Sequence, residues 1–182
     1  RSMHGQYPII WDKAENFQVF DKWGNVWIDF TSTIFVANVG HSNNRIVRKL
    51  QNCINKPLLH TYTYASHERV EYLDYLMSMT PSYFEKAFLL SAGTEATEAA
   101  LKLMRLNAIQ IGKKGGVICF EGSYHGRTMG AQSMTGSKKA KEWIGYQDPN
   151  IFHLPFPYPW EVKNPKVFFQ DTLKDLLNKN NI

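Results

Sequence analysis

Two glycine-rich stretches carry the residue types that could do chemistry. The first, Ser91-Ala92-Gly93-Thr94, opens a helical pattern; the second, Glu121-Gly122-Ser123-Tyr124-His125-Gly126, runs into Arg127. At a helix start, backbone N–H groups without intrahelical partners and the helix dipole favour an anion, commonly a phosphate. Gly93 lets the backbone approach such a guest closely, and the Thr94 hydroxyl adds a hydrogen bond. In the second stretch Tyr124 offers an aromatic face to a flat ring and His125 adds a donor. Arg127 brings a forked, permanently charged group suited to a carboxylate. Singly, each residue has a plainer account: Thr94 as a helix cap, Gly93 as a turn, Tyr124 as packing, His125 as a satisfied loop histidine, Arg127 as a surface ion-pair partner. Jointly, a phosphate grip, an aromatic platform and a carboxylate clamp suit a phosphorylated heteroaromatic cofactor and an amino-acid substrate.

The elements that must position these loops are legible around them. Ala87-Phe88-Leu89-Leu90 reads as a buried strand, and a helix follows from about Thr94 to Ile111. Its apolar side is expected at Ala96, Ala99, Ala100 and Leu103, with Glu98 four residues before Lys102 as an ion pair on another side. Gly112 and Gly115-Gly116 stop the helix, and Val117-Ile118-Cys119-Phe120 is a second strand. Strand, helix, strand at these lengths predicts a right-handed βαβ crossover with parallel strands. Both glycine-rich loops would then leave the carboxyl ends of neighbouring strands, where open parallel sheets bind ligands.

Upstream, Phe17–Phe20 and Val26–Phe30 read as strands joined by a turn at Gly24-Asn25. Asn44 is placed to cap a helix carrying Ile46, Leu50, Cys53 and Ile54. Ser66 is placed to cap another, with Glu68 in its first turn and Val70, Leu73 and Met77 on its apolar side, ended by Pro81. Downstream, the segment His153-Leu154-Pro155-Phe156-Pro157-Tyr158-Pro159-Trp160 reads as an extended surface excursion, and residues after Val167 suggest one more helix.

At 182 residues, 43% of them hydrophobic and 14% aromatic, the chain can build a packed core and is not of disordered composition. Cys53 and Cys119 sit in apolar patterns without metal-ligand spacing, and a reduced pair is expected, as in a cytoplasmic protein. The net charge of +5 is spread along the chain; even Lys138-Lys139-Ala140-Lys141 reads as a solvated loop, so no nucleic-acid partner is expected. No signal peptide and no membrane-spanning run stand out, and no metal site is expected. The chain starts at Arg1 and its last stretch, Leu176 to Ile182, closes on polar residues, which suggests a piece of something longer.

Ser91-Ala92-Gly93-Thr94-Glu95-Ala96-Thr97-Glu98-Ala99-Ala100-Leu101-Lys102 resembles the phosphate-loop signature of class-III pyridoxal-phosphate (PLP) aminotransferases, the acetylornithine and 4-aminobutyrate type. Phe120–Thr128 is similar to that family's second signature, Val19–Phe30 to its opening strand pair, and Asn38-Val39-Gly40-His41-Ser42 to the stretch that follows. The resemblance covers roughly residues 15 to 136, with four motifs in order. Ala92 departs from a commoner Ser or Thr, and Thr97 from a commoner Asn; neither change removes a backbone donor.

The resemblance implies an α/β protein of PLP-dependent transferase fold type I, aspartate aminotransferase-like but incomplete. Residues 1–57 would be the N-terminal segment of the small domain, and 58–182 the first part of the PLP-binding large domain. It implies that Gly93 and Thr94 hold the phosphate, and that Tyr124 stacks on the pyridine ring with His125 beside it. Arg127 would grip a substrate carboxylate, and Ile34 and Phe35 would line the substrate pocket. A homodimer is implied, passing an amino group from an amino acid or ω-amino acid to an α-keto acid.

None of the fifteen lysines stands in the context of the family's Schiff-base lysine. That residue is expected downstream, so this segment alone is expected to be inactive. The alternatives are a PLP aminomutase or racemase on the same fold, or a non-catalytic split or degraded segment. A Rossmann nucleotide site is disfavoured, because no Gly-x-Gly-x-x-Gly opens the first helix.

Overall fold

The computed structural model describes residues 9–58 and 60–180. The readings of Arg1 and of the final Asn181-Ile182 lie outside the described residues. The chain divides into two compact units that meet between Thr80 and Pro81.

The first unit opens with an antiparallel sheet in the order β1-β2-β3, formed by β1 (Trp11–Glu15), β2 (Gln18–Asp21) and β3 (Val26–Ile28). β2 and β3 are the anticipated pair, whereas β1 was not anticipated because Trp-Asp-Lys-Ala-Glu lacks apolar alternation. Asp21 is buried and closes the β2–β3 turn: its carboxylate accepts from the Trp23 and Asn25 amides at 2.9 Å each and from Asn25 Nδ2 at 2.8 Å. Gly24 takes φ +86° there, the left-handed region a glycine enters without strain.

After β3 the backbone does something unusual. Ser32, Thr33, Ile34 and Phe35 all have φ between +49° and +68°, a left-handed turn closed by the Phe35 amide on the Thr31 carbonyl and the Val36 amide on that of Ser32. Left-handed helix costs an L-residue roughly 1–2 kcal/mol, so four in succession need support from outside the turn.

α1 (Asn44–Ile54) and α2 (His67–Ser78) follow. The cap of α1 is Asn43, not Asn44: Asn43 Oδ1 accepts from the Arg45 amide at 3.0 Å, and Asn44 is the first helical residue. Ser66 caps α2 as anticipated, accepting from the Arg69 amide at 3.3 Å, with Glu68 in the first turn. Such a cap contributes about 1 kcal/mol.

The second unit is built on α3 (Gly93–Gln110), β4 (Val117–Phe120), α4 (Met129–Met134), the single turn α5 (Lys138–Lys141), β5 (Ile151–Leu154) and α6 (Pro165–Asn180). α3 ends in a Schellman arrangement. Gly112 has φ +68°, its amide donates to the Ile109 carbonyl at 3.1 Å, and the Lys113 amide donates to Ala108 at 2.7 Å.

Two expectations fail here for traceable reasons. Residues 87–90 form no ladder with any described strand, and Phe88 is 76% exposed. β4 instead pairs in parallel with β5, Val117 opposite Ile151 through Phe120 opposite Leu154. The crossover thus runs from β4 through α4 and α5 to β5. The His153-Leu154 part of the supposed surface excursion is therefore strand, with Leu154 only 2% exposed. β5 ends where Pro155 removes the next ladder donor, which masked it among the prolines that follow.

The face of α3 was also misread. Leu101 and Ala108 are buried and Thr94, Thr97, Glu98 and Arg105 half-buried, whereas Ala96, Ala100 and Leu103 are exposed. An alanine-rich helix is weakly apolar all round, and its packed face is chosen by hydrogen bonds instead. Leu101, Val117, Cys119 and Met134 form the core, with Ile151 against it. Both cysteines are free thiols. No described helix is long and apolar enough to cross a membrane.

Gly136 sits where a Cβ would lie 2.3 Å from the Phe120 carbonyl oxygen and 2.4 Å from the Gly122 amide nitrogen. Because both neighbours are backbone, Gly136→Ala is expected to lower unfolding free energy by about 2–3 kcal/mol. Urea titration of the chain checks this; an unchanged midpoint contradicts the packing described.

Candidate functional site

The two glycine-rich loops meet although the ladder expected beneath them does not form. The seam runs along the inward face of α3. Gly126 is buried against Thr94, and a Cβ on it would stand 2.6 Å from Thr94 Oγ1 and 2.9 Å from the Ala131 Cβ. Its φ of +137° further confines the position to glycine. One turn along, Thr97 Oγ1 donates to the His125 carbonyl at 2.7 Å.

Glu98 completes the seam. Its carboxylate accepts from the Thr128 hydroxyl and, at 2.9 Å, from the Ala131 amide, so it caps the N-terminus of α4 from another helix. The anticipated Glu98–Lys102 pair is therefore not where this carboxylate is used; Lys102 is exposed. Burial pushes the Glu98 pKa up, but the bonds from Thr128, Ala131 and Gly130 together outweigh it and hold the carboxyl below its ordinary value. Gly130 permits this approach, because a Cβ there would strike Glu98 Oε2.

The far side of the loop is pinned as well. The His125 amide donates to Thr135 Oγ1 at 3.1 Å, and the Gly136 amide donates to the Ser123 carbonyl at 2.9 Å. Ser123 Oγ lies 3.1 Å from His125 Nε2. Burial, and secondarily the nearby His153, lowers the His125 pKa, so its imidazole is neutral at pH 7.

At the head of α3, Ala92 is the cap residue and offers no side-chain acceptor to the first amides. Glu95 turns back to accept from the Ser91 amide at 2.9 Å. Nothing lies within 4 Å of where a Gly93 Cβ would be, so the helix start faces open space. Gly93, Thr94, His125 and Gly126 are thus brought together, with Tyr124, 68% exposed, and the exposed Arg127 on the same loop. Ile34 and Phe35 belong to the first unit, on the left-handed turn. Sequence reasoning missed Thr97 and Glu98 as loop anchors. Their spacing from Thr94 and Leu101 along one helical face was the available signal.

The fold matches part of solved transaminase structures. An ω-transaminase of Pseudomonas jessenii in complex with PMP superposes with a TM-score of 0.82 at 24% identity, covering 94% of this chain and 40% of that one. The family model for aminotransferase class-III matches residues 2–181, and the chain belongs to that family. It is 39% identical over 141 residues to acetylornithine aminotransferase of Clostridium acetobutylicum, covering 76% of this chain and 36% of the relative. It is 31% identical over 157 residues to 4-aminobutyrate aminotransferase GabT of Escherichia coli, covering 84% and 36%. The chain therefore spans little more than a third of the length of these relatives.

Class-III aminotransferases depend on PLP. The residues present fit that group. An 18-residue helix with no side-chain cap and open space at its first residue suits a phosphate, and the loop beside it carries an exposed aromatic ring.

Because the Glu98 carboxyl is held below its ordinary value near 4.5, its contribution to stability is full above that pH and fades as pH falls through the lower folded value. Wild type is expected to exceed Glu98→Gln in thermal midpoint at pH 7, with the gap closing below about pH 4. A gap that stays constant from pH 7 to pH 3 would contradict the capping role.

Proposed function

We propose that this chain is the cofactor-gripping part of a PLP-dependent aminotransferase that moves an amino group from an amino acid or ω-amino acid to an α-keto acid. On this reading none of the fifteen lysines present takes the role of the one that bonds the cofactor. The seat of Gly126 on Thr94 carries the reading, since it sets an anion-binding helix start beside an aromatic loop. Acetylornithine, 4-aminobutyrate and 5-aminovalerate aminotransferases among the relatives support amino donors with a terminal amine and a carboxylate.

When bound, PLP supplies an electron sink for the charge that develops at the substrate carbon bearing the amine. The chain's own residues do the rest. The amides of Gly93 and Thr94, with the Thr94 hydroxyl, hold the phosphate at the positive end of α3. Tyr124 covers one face of the ring and keeps water from it. His125, neutral and fixed through its backbone, stands beside the ring without adding a charge. Arg127 orients the substrate by its carboxylate; for Ile34 and Phe35 the family resemblance alone supports a role in lining the substrate pocket. A homodimer belongs to the same reading, supported by the exposed apolar Leu103, Met104 and Ile109 on α3.

In the longer protein, Tyr124→Ala is expected to weaken cofactor retention roughly tenfold, read by dialysis against PLP and absorbance. Arg127→Ala is expected to raise KM for 4-aminobutyrate by about tenfold to a hundredfold while leaving KM for a simple alkylamine nearly unchanged. Equal KM changes for both donors would take Arg127 out of the substrate site, and unaltered PLP retention in the Tyr124 variant would remove the stacking role.

A further inference from the structure

We propose that Asp29 and His41 are positioning residues: a clamp that holds Ser32–Phe35 in the left-handed turn and so fixes how Ile34 and Phe35 are presented. The functional weight of this inference rests on the reading that Ile34 and Phe35 line the substrate pocket. The clamp itself stands on the first unit's own geometry.

The turn cannot hold itself. Its residues include β-branched Thr33 (φ +52°) and Ile34 (φ +57°), which avoid this region most strongly. Such conformations persist only where the surroundings over-determine them. Here the surroundings converge on one carboxylate. Asp29 Oδ1 accepts from the Thr31 amide at 3.0 Å and from Thr31 Oγ1 at 2.9 Å. Asp29 Oδ2 accepts from Thr33 Oγ1 at 3.0 Å and pairs with His41 Nε2 at 2.9 Å. The Asp29 and His41 side chains are only 6% and 14% exposed. The His41 bond, followed by those from Thr31 and Thr33, holds the Asp29 carboxyl below the usual range.

His41 can act as the fixed end of the clamp because it is anchored elsewhere. Its backbone makes a two-bond bridge with Asn16, at 3.0 and 2.7 Å, in the turn between β1 and β2. Gly40 makes the close approach possible: with φ +90°, any Cβ would stand 3.2 Å from the Asn16 Cα. The edge of the Trp11 ring meets the His41 imidazole with centroids 5.8 Å apart. At the other end of the turn, Asn38 Nδ2 donates to the Phe35 carbonyl at 2.7 Å.

The clamp sets the backbone from which Ile34 and Phe35, each 77% exposed, project. Holding four successive residues against left-handed strain is expected of a segment that must keep one conformation, and not of a linker.

Amide hydrogen exchange on the full 182-residue chain tests this at Phe35, Val36 and Ala37, whose amides close the turn. Asp29→Asn is expected to speed exchange there about tenfold or more, while Val19 in β2 keeps its protection. Ser32→Gly in the otherwise native chain removes none of the bonds to Asp29 and is expected to slow exchange at the same amides, because glycine enters the left-handed region without strain. The double variant Asp29→Asn/Ser32→Gly is expected to regain much of the lost protection. A purely structural aspartate would show no such rescue, since an added glycine would loosen the segment further. Three results would each overturn the clamp: unchanged exchange in Asp29→Asn, acceleration that spreads equally to Val19, or faster exchange in Ser32→Gly alone. PLP binding involves other residues, in the second unit, so failure here and failure of the cofactor reading are observed separately.

Discussion

The second unit depends on one constraint: the first turns of α3 must lie flush against the loop that leaves β4. Two glycines make the approach sterically possible, Gly126 against Thr94 and Gly130 against Glu98. Two polar side chains then lock it, Thr97 on the His125 carbonyl and Glu98 on the head of α4. Without the glycines the backbones could not come close enough; Thr97 and Glu98 then tie the loop and the head of α4 to α3. The amides at the head of α3 and the Tyr124–Arg127 segment share a neighbourhood only because this seam is closed.

The seam also shows how a carboxylate can serve structure beside a binding surface. Glu98 is satisfied by three donors and neutralises the positive end of α4, not that of α3. The dipole of the longer helix stays available to an anion. Glu95, the acidic residue in the first turn of α3, is occupied with the Ser91 amide.

What the sequence disclosed follows from the range over which each signal acts. Local signals served well: the Ser66 cap, the Gly112 stop, the strand at Val117–Phe120 and the turn at Gly24 are set within a few residues. Both glycine-rich loops were legible for the same reason, since their composition declares the backbone approach they must allow. Long-range choices were not. Whether 87–90 or 151–154 pairs with β4 depends on partners distant in sequence, and an apolar run alone does not say which. The inward face of α3 was hidden because alanines surround it and the deciding contacts are hydrogen bonds from Thr97 and Glu98. The left-handed turn had no local signal at all: Ser-Thr-Ile-Phe contains no glycine, and only the convergence of Asp29 and His41 explains it.

The proposed function makes one claim of the second unit: the head of α3 and the loop after β4 act as a single receptor for a phosphorylated ring. The most direct measurement is a titration of the 182-residue chain with PLP, followed residue by residue through backbone amide chemical shifts. The account predicts that the amides of Gly93, Thr94 and Glu95 and those of Tyr124 to Arg127 move together along one saturating curve. Movement of one set without the other, or of neither while PLP gathers on scattered lysines, would contradict it.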